Sequence, residues 1–196
     1  MNKKEQFEEF MRDNAGLIGD ICEAACNLHD VDCNQKYGDG KPYSVHLKMV
    51  ADCAMEWISE ACEREEDIIP IIFGAYFHDS IEDARMTYND ILGLSKRFMT
   101  PSQSTMATEI VYALTDEKGR NRAERGSMKH YEDIRNTKYA PFVKFCDRYS
   151  NWKYSVDNGS RMAAVYNKEM PEFIDKLGGD RFLTKELIGK VLPDLV

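Results

Sequence analysis

Apolar residues recur at three- and four-residue intervals along most of the chain, the period of a helix with one buried face. Between 4 and 28 the series is Phe7, Phe10, Met11, Leu17, Ile18, Ile21, Ala25 and Leu28, which predicts one long helix. A polar, glycine-containing stretch at 30–41 interrupts it. Pro42 then stands where a first helical turn tolerates proline, ahead of Val45, Met49, Val50, Cys53, Ala54, Trp57 and Ile58. From Ile68 to Ile81 the chain is strongly apolar, with Pro70 near the start. A short window of it reads equally as a buried strand. The run continues through Ala75-Tyr76-Phe77-His78-Asp79 to Asp83, well beyond the roughly 5–6 residues of a usual strand, which predicts a helix buried on most faces.

The same reading continues to the end of the chain. Thr87 with Asp90 has the spacing of a capping box opening a short helix to about Leu94. Pro101 starts a helix carrying Met106, Ile110, Val111 and Leu114. The charged stretch 116–138 reads as a loop plus an exposed helix. Pro141 opens an apolar helix through Val143, Cys146 and Trp152. Two last helices are expected near 160–177 and 183–191, divided by Gly178-Gly179. With no repeat, low-complexity tract or internal linker, the expectation is an all-α, single-domain chain over 1–196.

Composition narrows the function classes. The 196 residues are 43% hydrophobic and 31% charged, enough for one sizeable core. A net charge of −8 and a pI near 5.1 argue against a general nucleic-acid or anionic-membrane surface, while leaving room for a local basic pocket that takes a small anion. No apolar stretch is long enough to span a bilayer, and Met1-Asn2-Lys3-Lys4-Glu5-Gln6 turns acidic where a signal peptide needs an apolar run. The expected setting is cytoplasmic. The six cysteines (22, 26, 33, 53, 62 and 146) form no CxxC pair and fit reduced thiols better than a disulfide framework.

The chemistry concentrates in four residues. His46 sits in the first turns of its helix, His78 and Asp79 are adjacent at the end of an otherwise oily one, and Asp147 lies among apolar neighbours in Phe142-Val143-Lys144-Phe145-Cys146-Asp147-Arg148-Tyr149. A carboxylate in such surroundings is costly to bury without a cation. Lys144 and Arg148 are one choice of partner; a metal ion is the other, and the two histidines favour it. Two imidazoles with two carboxylates suit a first-row divalent ion, and Mn²⁺ fits well. Glu82 and Asp83 follow His78 and Asp79 at i+4, each on the face of one ligand. Carboxylates there can take a proton from an attacking water or return one to a leaving group. His29 and His130 have no comparable company.

These residues resemble the HD superfamily of metal-dependent phosphohydrolases. The match narrows to the RelA/SpoT-type guanosine-tetraphosphate hydrolases of the stringent response, especially the small stand-alone alarmone hydrolases. The stretches that carry it are Lys41-Pro42-Tyr43-Ser44-Val45-His46, Gly74-Ala75-Tyr76-Phe77-His78-Asp79-Ser80-Ile81-Glu82-Asp83-Ala84, Leu114-Thr115-Asp116-Glu117, and Val143-Lys144-Phe145-Cys146-Asp147-Arg148-Tyr149-Ser150-Asn151, within about 20–177. The resemblance implies an HD-type helical bundle holding one Mn²⁺, or another first-row divalent metal, through His46, His78, Asp79 and Asp147. It implies that Glu82 and Asp83 activate the attacking water and that the 3′-pyrophosphate leaves a guanosine nucleotide. It places Tyr43, Lys144, Arg148, Asn151 and Tyr166 at the substrate, which would be a small nucleotide, with no nucleic-acid polymer and no membrane as partner.

The chain departs from the family pattern upstream of His46. Where relatives carry a basic stretch with an arginine, this sequence has Ala24-Ala25-Cys26-Asn27-Leu28-His29-Asp30. Leu47 follows His46 where the family commonly has proline, and Cys146 stands before Asp147 in place of a small alanine. None of these touches the expected metal ligands. The base acted upon therefore stays open, between an alarmone, another nucleotide such as NADPH, and a nucleotide bound without turnover. Oligomeric state is not fixed by the sequence.

Overall fold

The computed structural model describes residues 1–115, 127–178 and 188–189. Among the described residues the fold is all-α apart from one two-stranded hairpin. Its helices are α1 (Lys3–Asp13), α2 (Ala15–Cys26), α3 (Ser44–Ala61), α4 (Ile68–Phe77), α5 (Tyr88–Ser95), α6 (Pro101–Leu114), α7 (Met128–Asn136), α8 (Ala140–Asp157) and α9 (Met162–Leu177). No helix among the described residues is long and apolar enough to cross a membrane. The charged residues Lys118, Arg120, Arg122 and Arg125, the pair Asp116-Glu117, Gly179 and most of the expected helix at 183–191 lie outside the described residues.

Helix α4 is the centre of the bundle. All ten of its residues are buried, from Ile68 to Phe77, and α3, α6, α8 and α2 pack round it. That is why its sequence shows no polar face. Its N-terminus is pinned by Asp67, only 1% exposed, whose Oδ2 accepts from the Tyr139 hydroxyl at 2.6 Å and from Lys138 at 3.2 Å. An acid at this end also complements the helix dipole.

Several boundaries differ from the sequence expectation. The helix expected over 4–28 is two helices, broken at Asn14 (φ −101°, ψ 16°), whose side-chain amide donates at 2.9 Å to the Phe10 carbonyl that its own backbone N–H already reaches at 3.0 Å. After Cys26 the chain widens into a π-helical turn, Asn27–Asp32, closed by Cys33 N–H to Leu28 O at 3.1 Å. The polar interruption at 30–41 contains all but the last residue of a hairpin, β1 (Lys36–Tyr37) against β2 (Lys41–Pro42). Pro42 is therefore a strand residue opposite Lys36, and α3 begins two residues later at Ser44. Helix α4 stops at Phe77 rather than running to Asp83. The cause is local: His78 Nδ1 takes the Ala75 carbonyl at 2.8 Å, and Ser80 N–H takes that of Phe77 at 3.0 Å, tightening the end into turns.

The capping box at Thr87 and Asp90 forms as expected and opens α5. Thr100 and Gln103 make another ahead of Pro101. Helices α8 and α9 follow the Pro141 and 160–177 expectations closely, with Gly178 in the left-handed conformation at φ 97° ending α9.

Gly74 sets the distance between α4 and α6. A Cβ there would lie 2.6 Å from Ile110 Cγ2, a branched side chain with little freedom to move. Gly74→Ala is expected to destabilise the fold by about 1–3 kcal/mol despite alanine's better helix propensity. A lower urea midpoint at unchanged slope would show this; an unchanged or raised midpoint contradicts the close approach.

Candidate metal centre

Three elements bring the four chemical residues together. His46 lies in the first turn of α3, where Asp30 Oδ1 accepts the otherwise unpaired Ser44 N–H at 3.0 Å. His78 and Asp79 follow the buried end of α4. Asp147 comes from the middle of α8, with Lys144, Arg148 and Asn151 at i−3, i+1 and i+4. Because α3 and α8 both pack against α4, the start of α3, the end of α4 and the middle of α8 meet at one place.

The donor atoms converge. His46 Nε2 lies 3.2 Å from His78 Nε2, 3.3 Å from Asp147 Oδ1 and 3.7 Å from Asp79 Oδ2. His78 Nε2 lies 2.9 Å from Asp79 Oδ2 and 3.7 Å from Asp147 Oδ1. An ion roughly 2.1 Å from each donor sets neighbouring donors about 3.0 Å apart at right angles and about 3.4 Å apart at tetrahedral angles. The donor atoms of His46, His78 and Asp79 all lie within 4.8 Å of one another and could hold one small divalent cation, with Asp147 Oδ1 beside the two imidazoles. The mixed nitrogen and oxygen donors suit the first transition row. Both histidines are 2% exposed.

A layer of hydrogen bonds orients these donors. His78 Nδ1 is committed to the Ala75 carbonyl, which aims the Nε2 lone pair of the neutral ring into the cluster. The Tyr43 hydroxyl donates to Asp79 Oδ2 at 2.5 Å. Asn151 Nδ2 donates to Asp147 Oδ1 at 2.7 Å, and its Oδ1 accepts from the Tyr37 hydroxyl at 3.0 Å. Lys144 Nζ lies 3.5 Å from Asp147 Oδ2, so one carboxylate oxygen faces the histidines and the other a cation. Tyr43, Lys144 and Asn151 are thus gathered against metal-ligand candidates. Arg148 instead ion-pairs with Glu169 at 2.9 Å, its guanidinium 5.2 Å from the Tyr166 ring centre and 4.6 Å from that of Phe173.

Glu82 and Asp83 lie on the turns that follow Asp79, and both are exposed. Asp83 N–H still reaches the Asp79 carbonyl at 2.8 Å, so it remains one turn on although the helix has ended. Its Oδ2 accepts from Gln35 Nε2 at 2.6 Å. That fixes the Gln35 amide: Oε1 faces His29 Nδ1 at 2.7 Å, making Nδ1 the donor and leaving Nε2 to accept from Ser80 Oγ at 3.1 Å.

His29, Gln35 and Tyr37 also belong to the contacts around the cluster, beyond the residues that the sequence pattern singles out. His29 is fully buried and stacks on Tyr43 with ring centres 5.2 Å apart. A signal was present for it, since the buried positions Ile21 and Ala25 continue at the same spacing to His29. For Gln35 and Tyr37, in a segment without periodicity, there was none. Comparison with models of known protein families gives no match, and comparison with curated proteins gives none.

Electrostatics bind the metal-free cluster into a charge network. Burial works to lower the His78 pKa, but the carboxylates of Asp79 and Asp147 outweigh it and raise it to about 9. Burial works to raise Asp79 and Asp147, and is outweighed by the His78 imidazolium for the first and by Lys144 and His46 for the second, which hold both well below the usual carboxylate range. The carboxylates therefore add stability above about pH 4 that is lost in acid. An unfolded imidazole titrates near about 6.5, so the contribution of His78 to the metal-free fold is complete below that pH. It is lost as pH rises through about 9.

Two outcomes follow from this network. The urea midpoint of metal-free protein should fall between about pH 6.5 and 9, by the equivalent of a few kcal/mol. Mn²⁺ binding should release a proton over the same window, read calorimetrically in buffers of different ionisation enthalpy. A midpoint that rises with pH, or binding without proton release, contradicts the protonated His78.

Proposed function

We propose that this chain is a divalent-metal-dependent phosphohydrolase of the HD type acting on a small phosphorylated nucleotide, with the 3′-pyrophosphate of guanosine tetra- or pentaphosphate as the substrate it suits best. The observation that carries this reading is the convergence of His46, His78, Asp79 and Asp147 at ion-sized separations, with Glu82 and Asp83 on the next turn. A purely structural metal has no use for adjacent proton-transfer groups.

When bound, such an ion supplies a Lewis acid that acidifies water and offsets phosphate charge. The rest falls to the chain. His46, His78, Asp79 and Asp147 would hold the ion, and Asp79 and Asp147, at 21% and 14% side-chain exposure, leave room for an incoming phosphate. Asp83, held as a hydrogen-bond acceptor by Gln35, and Glu82 beside it in sequence would take the proton of the attacking water and pass one to the leaving oxygen. Lys144 contributes positive charge next to Asp147. Arg148 and Tyr166, already in contact, offer a cation and a ring for the nucleotide.

A second reading keeps the chemistry and changes the nucleotide. The segment 24–30 supplies His29 and Asp30 to the outer layer of the site and contains no arginine, which favours a substrate other than a guanosine alarmone, such as NADPH losing its 2′-phosphate.

Phosphate and pyrophosphate release from guanosine tetraphosphate and from NADPH, each with Mn²⁺, separates the two readings. Binding of a nucleotide with turnover of neither replaces both by a sensor. Asp147→Ala is expected to lose metal binding and turnover together. Glu82→Gln is expected to keep the metal and lose about 10²–10⁴-fold in turnover. Full turnover in Glu82→Gln would remove its role in proton transfer.

A further inference from the structure

The two histidines of the cluster are held in different ways. A metal-ligating imidazole ordinarily donates its other N–H to a carbonyl or carboxylate, which fixes its plane and tautomer. His78 does so through Ala75. His46 does not: its Nδ1 is buried and has no hydrogen-bond partner among the described residues. Its ring is packed instead. Tyr37 stacks on it with centres 4.9 Å apart and planes at 20°, and Tyr43 meets it edge-on at 5.5 Å and 70°.

Tyr37 is itself clamped. Its ring lies 4.7 Å from that of Tyr154 on α8. The hairpin turn seats directly on Tyr154, since Gly38 has φ 52° and a Cβ there would lie 2.3 Å from the Tyr154 hydroxyl. Lys41, on the returning strand, holds its ammonium 5.0 Å over the same ring. The Tyr37 hydroxyl donates to Asn151 Oδ1, which turns the Asn151 amide so that Nδ2 faces Asp147 Oδ1. Burial pushes the Tyr37 phenol up, so it stays a donor.

We propose that Tyr37 is a positioning residue for the metal: its ring face sets the plane of His46 in place of the usual hydrogen bond, and its hydroxyl sets Asp147 through Asn151. One residue of the hairpin thereby governs two of the four donors, one from α3 and one from α8. This inference rests on the metal-centre reading. The hairpin becomes part of the site's construction rather than a loop between helices.

The two functions of the side chain separate by substitution. Tyr37→Phe keeps the stacked ring and removes the hydroxyl; Tyr37→Leu keeps apolar bulk and removes the ring face. Mn²⁺ dissociation constants, measured by calorimetry and by the electron paramagnetic resonance of free Mn²⁺, are the readout, alongside the melting temperature of each metal-free protein. Tyr37→Leu is expected to weaken Mn²⁺ binding about 10–100-fold, the usual cost of an outer-layer defect, and Tyr37→Phe to restore most of that loss. If Tyr37→Leu does not fold, Tyr37→Phe and Asn151→Ala carry the test, each expected to weaken binding severalfold with little change in melting temperature. Wild-type affinity in these variants overturns the positioning role alone. A Leu variant and a Phe variant equally weak would show that the ring face contributes nothing, and would overturn the stacking half. Absence of saturable Mn²⁺ binding by the unaltered protein would instead overturn the metal centre, and this inference with it.

Discussion

Two buried imidazoles with two half-buried carboxylates within ion-pair distance of them are the constraint on which this structure turns. Taken singly, each of these groups is expensive to remove from water. Together they are tolerable only if positive charge lies among them, whether as a proton on His78 or as a divalent ion. The raised His78 and the depressed Asp79 and Asp147 express the first solution. The donor spacings express the second. The apolar burial of α4 makes the constraint unavoidable, because the helix delivers His78 and Asp79 at the end of a segment that has no solvent-facing side.

The surrounding residues can be understood as supports for that cluster. Ala75, Tyr43 and Asn151 each commit a hydrogen bond to one donor, and Tyr37 lays a ring against another. The support reaches outward through Gln35, which joins His29 to Asp83, so the layer around the donor candidates also holds one of the two acidic residues of the following turn. The segment from Asn27 to Pro42, a π-helical turn and a hairpin, supplies much of this layer. π-helical turns frequently accompany functional sites, and here the widened turn brings His29 and Asp30 inward together.

The sequence was legible where periodicity or strong chemistry spoke. The oily run before His78 announced a buried helix, and capping residues and prolines marked α5, α6 and α8 within a residue or two. The four donor candidates were recognisable because histidine beside aspartate in such a helix is chemically conspicuous, and the structure brings all four together. What escaped was set by individual hydrogen bonds. The end of α4 depends on His78 turning back to Ala75. Tyr37 lies 114 residues from its partner Asn151, so only the closed fold reveals that the polar interruption carries part of the site.

The most direct test of the account is anomalous diffraction at the manganese edge from crystals equilibrated with Mn²⁺. A metal centre here gives one strong peak among His46 Nε2, His78 Nε2, Asp79 and Asp147, roughly 2.0–2.3 Å from each donor atom. No peak there, or a peak that leaves either histidine uncoordinated, would contradict it.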